Sequence, residues 1–235
     1  MHLNWPKAWR IIASRYPPID LFERVSGGDG AVSEALIALE QLTNPRVRDE
    51  IGQISLVPSD KRVTGPGATY VMAPFTHINP NGSRFADGTY GAYYAASDLT
   101  TAIAETTYHF ARFALDSADP PRFADMRVLV GAFEAELEDV DEKDPDLRAQ
   151  LLDPNGYSAA QAWARDLKEA GANGIHYPSV RREGGECAVA FWPNVPRIPV
   201  QERHLQYHWN GVRVDRYFDY GEDAWHDWPS DRSPD

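Results

Sequence analysis

The sequence predicts an α+β domain, and three observations carry that expectation. A turn, a strand, a second turn and a helix follow one another from Asn81 to His109. Further runs of β-branched, aromatic and small apolar residues at 126–135, 174–180 and 188–192 read as strands. Helical patterns at Ser33–Leu42 and from Tyr157 to Gly171 alternate with them. No Gly-x-Gly-x-x-Gly follows a strand and no Walker loop occurs, so neither standard nucleotide-binding fold is indicated.

Taken in order, residues 1–18 carry Trp5, Trp9 and Ile11-Ile12 ahead of Pro17-Pro18, which suggests a short amphipathic helix. Ile19–Val25 reads as a strand with Arg24 at its exit, where a plain surface charge beside Glu23 is the alternative to a binding role. Ser33–Leu42 is a helix closed by Asn44-Pro45, and 45–54 reads as a shorter one. The span 31–60 is thus a helical insertion, or equally a partner surface. Thr69–Phe75 reads as a strand, with Pro74 at its end or on a sheet edge.

The central unit is the most informative. Arg84 leaves a glycine-bounded turn, and Tyr90–Ala96 is an aromatic and small-residue strand. Ser97 and Asp98 are good helix starters. In the following helix Leu99, Ala102, Ile103, Thr106 and Phe110 share the core face, and Thr101, Glu105, Tyr108 and His109 share another. Glu105, on the second turn, then looks back over the strand end. His109 lies one turn on and would orient Glu105 or merely form an i,i+4 contact.

After a loop at 116–121 and the strand 126–135, the acidic run 136–146 reads as a solvated turn into a short helix at 147–152. Ser158 with Gln161 three residues on reads as a capping box at the start of the next helix. A pocket role for Ser158 is compatible with it, since a helix N-terminus also offers N–H groups to a phosphate. Ser179, where the strand 174–180 runs into a turn, is the other candidate serine. Beyond Pro199 the chain reads as an aromatic and charged extension at about 200–235, frayed from 227. His204 and His208 are four apart, but no His-Glu-x-x-His surrounds them, so a surface reading is preferred to a zinc site.

The 235 residues suit one domain, with 43% hydrophobic and 25% charged residues. A net charge of -12 argues against a nonspecific nucleic-acid or anionic-membrane binder and suits a basic protein partner. Cys187 is the only cysteine, which excludes an intrachain disulfide and a thiolate metal site. The first residues lack the apolar run of a signal peptide, and no stretch has transmembrane length, so the cytoplasm is the expected compartment.

Four motifs together resemble the RES domain, the toxin half of a bacterial toxin–antitoxin pair, named for an arginine, a glutamate and a serine. They are Leu21-Phe22-Glu23-Arg24-Val25, Gly82-Ser83-Arg84-Phe85, the Tyr94-Ala95-Ala96 strand with Glu105 eleven residues on, and the pair Tyr157–Gln161 and Gly174–Ser179. The resemblance covers about residues 20–195. It implies a fold like that of ADP-ribosyltransferase toxins, with mixed sheets flanked by helices, and consumption of NAD. It also implies a helix-turn-helix antitoxin partner and a homodimer or toxin–antitoxin hetero-oligomer.

The residues suit that chemistry. Cleavage of the nicotinamide–ribose bond releases a neutral leaving group and builds oxocarbenium character on the ribose, which a fixed carboxylate, Glu105, stabilises. Arg24 and Arg84 are planar forks for a pyrophosphate. Tyr94, Tyr93 or Phe85 would contact the nicotinamide ring, and Ser158 or Ser179 would bond the ribose or the amide. No metal or cofactor is expected; NAD is the substrate, and inorganic phosphate or water is the attacking group. Transfer of ADP-ribose to a protein or nucleotide, and a non-catalytic partner-binding domain, are the alternatives.

Overall fold

A computed structural model describes residues 1–14 and 52–228. The expected strand 19–25 with Arg24, the expected helix 33–42 and most of 45–54 lie outside the described residues; Ile54–Leu56 is a single 3-10 turn. Within them the chain forms β1 (His2–Ala13), α1 (Ala68–Thr76), β2 (Tyr93–Ala96), α2 (Leu99–Asp116), β3 (Arg122–Glu136), β4 (Glu138–Asp139), α3 (Pro145–Leu151), α4 (Ser158–Glu169), β5 (Gly174–Pro178), β6 (Glu186–Ala190), β7 (Val200–Trp209), β8 (Val214–Asp219) and β9 (Ala224–Asp227).

The nine strands make one sheet in the order β4-β5-β6-β2-β1-β3-β7-β8-β9. Only the short β4–β5 pair is parallel, and the other ladders are antiparallel. Alternation along each strand sorts side chains onto two faces. Tyr93, Ala95, Ala188 and Ala190 pack on one face with Val71, Met72 and Phe75 of α1. Ala96, Cys187, Val189, Ile175 and Tyr177 pack on the other with Ile103 of α2 and Ala160 and Ala164 of α4.

Three elements differ from the sequence expectation. Residues 2–13 form a central strand, not an amphipathic helix. They pair with β3 at ten positions, and the register shifts between Trp5 and Ala8, so Pro6, which has no N–H to donate, sits in a bulge. Residues 69–75 are helical, not extended. Ala68, Val71, Met72, Phe75 and Thr76 are the buried positions, a three-and-four spacing, and Pro74 falls in the final turn. The stretch from 200 is no appendage. Leu205, Tyr207 and Trp209 are fully buried, and burial of one such side chain stabilises by about 1.5–3 kcal/mol. His204 and His208 therefore lie on strand β7, where His208 Nδ1 meets Asp215 at 2.6 Å and His204 Nε2 meets Gln201 at 2.8 Å.

The feature that opens the site is a weak seam. β1 and β2 pair only at Trp9 and Ala96. Past that rung the strands separate, and Arg10 Nη1 reaches across to donate to the Tyr94 carbonyl at 2.9 Å.

Candidate active site

A cleft of about 660 Å³ opens over this seam, walled by α2, the 81–84 turn and the start of α4. Its residues are placed by local rules. Asp98 caps α2, accepting from the Thr101 amide at 2.9 Å, and this fixes the helix phase that aims Glu105 into the cleft. Arg84 sits in a tight turn where the Ser83 amide donates to the Ala86 carbonyl at 2.6 Å. Gly82 has φ +70°, and a Cβ there would meet the Ala86 carbonyl at 2.6 Å, so only glycine fits. Two tyrosines hold the turn from outside: the Phe85 amide donates to the Tyr94 hydroxyl, and the Tyr90 hydroxyl donates to the Phe85 carbonyl, both at 2.9 Å.

Arg84 is 6% exposed. Its Nη1 donates to the carbonyls of Leu151 (3.0 Å) and Asp153 (2.8 Å), and its guanidinium lies 4.7 Å from the centre of the Tyr157 ring. Its Nη2 is buried with no hydrogen-bond partner among the described residues. A charged donor without an acceptor is costly, and an ordered water or a small shift of the wall would satisfy it as well as a ligand would.

Glu105 accepts a 2.6 Å hydrogen bond from the Ser179 hydroxyl. The Ser179 oxygen in turn accepts from the amides of Arg181 and Arg182, each at 3.1 Å. With both amides pointing in, the hydroxyl proton has one direction left, toward the carboxylate. The loop is anchored to α2 because Arg182 donates to Asp98 at 2.9 Å and to Thr101 at 2.8 Å. Cys187 Sγ lies 3.9 Å from the same carboxylate oxygen. Burial pushes the Glu105 carboxyl above its usual range, opposed by the Ser179 hydrogen bond and the charges of Arg181 and Arg84.

His109 Nε2 is 4.0 Å from Glu105. Enclosure, then the positive charges of Arg181, Arg84 and Arg112, push its imidazole down to about 4. The ring is therefore neutral at pH 7, although 53% of its side chain meets water. The Glu105–His109 contact is therefore not a charged helix pair.

The family profile described as "RES domain" matches residues 60–210. The chain belongs to the RES domain family. This RES domain is 30% identical over 206 residues to "Uncharacterized protein y4oC" of Sinorhizobium fredii (strain NBRC 101917 / NGR234), a span covering 88% of this chain and 84% of that protein. A chain from the crystal structure of the M. tuberculosis MbcT–MbcA toxin–antitoxin complex superposes with a TM-score of 0.39 at 14% identity, over 56% of this chain and 74% of that one. That likeness is too loose to transfer anything from.

Of the candidate residues of this RES domain, Arg84, Tyr94, Glu105 and Ser158 line the cleft. Ser179 supports Glu105 without being part of the wall. Two aromatic candidates are corrected. Tyr93 alternates with Tyr94 and packs on the far face, under the Arg10 guanidinium at 4.6 Å. Phe85 is fully buried against the edge of Tyr177, with ring centres 4.9 Å apart. Ser158 forms no capping box: Tyr157 is the N-cap without a side-chain cap bond, and Gln161 donates to the Ser83 carbonyl at 2.9 Å. The sequence reading passed over Arg181 and Arg182. The signal for them is the run Ser179-Val180-Arg181-Arg182-Glu183-Gly184-Gly185, in which a serine oxygen takes the amides two and three residues on.

Proposed function

We propose that this RES domain cleaves the nicotinamide–ribose bond of NAD, with Glu105 facing the ribose carbon. The observation that carries the reading is the Glu105 carboxylate: largely enclosed, with 19% of its side chain exposed, oriented by Ser179, and sharing a cleft with Arg84. The carbon–nitrogen bond breaks, its electron pair goes to the nicotinamide nitrogen, and the pyridinium is neutralised. A preorganised carboxylate stabilises the oxocarbenium charge left on the ribose. Arg84, in the cleft wall, supplies positive charge for the pyrophosphate, and Tyr94 and Tyr157 supply ring surface. An oxygen of phosphate or water then bonds the ribose carbon; for water, neutral His109 accepts the proton that is released. Ser158, at the N-terminus of α4, contacts a phosphate or ribose hydroxyl. No metal or cofactor takes part.

The family resemblance supports a role as the toxin of a toxin–antitoxin pair, acting in the cytoplasm and restrained by a helix-turn-helix antitoxin. The test is incubation of the purified protein with NAD and EDTA, with and without phosphate, following nicotinamide by chromatography. Nicotinamide release is expected, and faster release with phosphate marks phosphorolysis. Intact NAD after prolonged incubation at high enzyme concentration defeats the hydrolase and phosphorylase readings together.

A further inference from the structure

The far end of the sheet carries a surface that the cleft chemistry does not use. Leu205, Tyr207 and Trp209 of β7 face the core, so alternation places His208 on the opposite face, with Phe123, Phe218 and Trp225 from neighbouring strands. There the rings form a chain. Phe123 and Trp225 have centres 5.9 Å apart, Trp225 and Phe218 5.4 Å, and Phe218 and Tyr220 4.9 Å. Yet Phe123, Trp225 and Tyr220 are 52%, 45% and 53% exposed. Single exposed apolar side chains are ordinary, but contiguous ones mark an interaction site.

Charge defines the occupant. The strands and turn that carry these rings also bear the exposed carboxylates of Asp125, Glu222, Asp223 and Asp227, on a chain of net charge -12. Trp225 already accepts one guanidinium, since Arg216 lies 4.9 Å from its ring centre. A second copy would bring the same acidic rim against itself, and an acidic ligand would be repelled.

We propose that this aromatic face is a docking surface for a basic protein segment, which lays arginine or lysine side chains and apolar residues across Phe123, Phe218 and Trp225. A cation over an exposed ring is attracted by the ring's negative face, the more so as the contact is desolvated. Phe218 and Trp225 lie beyond residue 210, where the family match ends, and neither they nor Phe123 line the cleft. The surface therefore stands independently of the NAD reading.

The experiment uses the full chain and two synthetic dodecapeptides, one alternating arginine and leucine and one alternating glutamate and leucine, titrated by calorimetry. The arginine–leucine peptide is expected to bind and the glutamate–leucine peptide to give no heat. Phe123→Ser/Trp225→Ser, exposed positions whose loss spares the core, weakens binding by about tenfold or more. Asp223→Asn/Asp227→Asn weakens it by several-fold, and so does added salt. Nicotinamide release by both variants stays at the wild-type level. Equal affinity for wild type and the ring variant would reduce the effect to diffuse attraction by an acidic protein and overturn the proposal. So would a dimer in sedimentation that disappears in the ring variant, because the occupant would then be a second copy.

Discussion

Ser179→Ala removes a hydroxyl that does three things at once, so its effect is worked out in two parts. Stability falls because Glu105 loses a 2.6 Å hydrogen bond and the amides of Arg181 and Arg182 lose their acceptor. A hydrogen bond to a charged group contributes roughly 1.5–3 kcal/mol. In a chain of this size each kcal/mol moves the melting temperature by about 2–4 °C, so a drop of roughly 3–12 °C is expected. The second part concerns protonation. Burial already holds the Glu105 carboxyl above its usual range, and the Ser179 hydrogen bond opposes that shift. Without it the carboxyl moves further up, and the acidic limb of the turnover–pH profile moves to higher pH. Ser179→Thr keeps the hydroxyl and restores the limb. The assay is nicotinamide release from NAD across pH at a temperature well below both melting points. An acidic limb that stays at its wild-type position, with turnover lowered only in proportion to unfolded protein, refutes the positioning role of Ser179.

Two further variants and one expression experiment test the same reading. Glu105→Gln should lower turnover by about 100-fold or more, roughly 3 kcal/mol of transition-state stabilisation, while NAD affinity measured by calorimetry changes little. Because the Glu105 carboxyl is raised in the folded state, the folded protein holds a proton there that the unfolded chain releases, and stability falls as pH rises between the two values. Melting curves should therefore show the Gln variant equal to wild type at pH below that window and equal or higher at pH 7; a lower melting point at pH 7 would count against the sign. Arg84→Ala should weaken NAD binding and also lower the melting temperature, since the carbonyls of Leu151 and Asp153 lose their donor; weaker binding without destabilisation would mean that those contacts contribute little. Expression in a bacterial host should arrest growth as cellular NAD falls, and harmless expression at constant NAD removes the toxin role whatever the fold.

The sequence was most legible where one short-range rule decides. Asp98 caps α2 as its position predicts, and that cap is enough to aim Glu105. It was misread where two periodicities compete. Trp5, Trp9 and Ile11-Ile12 fit a helical stripe, but β1 lies mid-sheet between β2 and β3 and has apolar residues on both faces, so clean alternation is lost. Residues 69–75 are rich in strand-forming types, yet burial of Val71, Met72 and Phe75 follows helical spacing that the local composition concealed. The alternation rule by itself separates Tyr93 from Tyr94, and applying it to the strand would have kept only the latter for the pocket. No local pattern could reveal that Ser179 reaches Glu105, because 74 residues separate them. Arg24 lies outside the described residues.

The single rung between β1 and β2 divides the sheet like the spine of an open book. One leaf, β1-β3-β7-β8-β9, draws on both ends of the chain; the other, β4-β5-β6-β2, comes from its middle. Among the described residues the two are joined by one ladder pair, the Arg10 hydrogen bond to the Tyr94 carbonyl, the Arg10 guanidinium over the Tyr93 ring and Trp5 edge-on to His176. A molecule that fills the cleft becomes the mortar of that joint. Ligand present at a hundred times its dissociation constant adds about 2.7 kcal/mol to global stability. In this architecture the protection should gather at the spine, so the amides of residues 9–11 and 93–96 are where slowed hydrogen exchange would register cleft occupancy first.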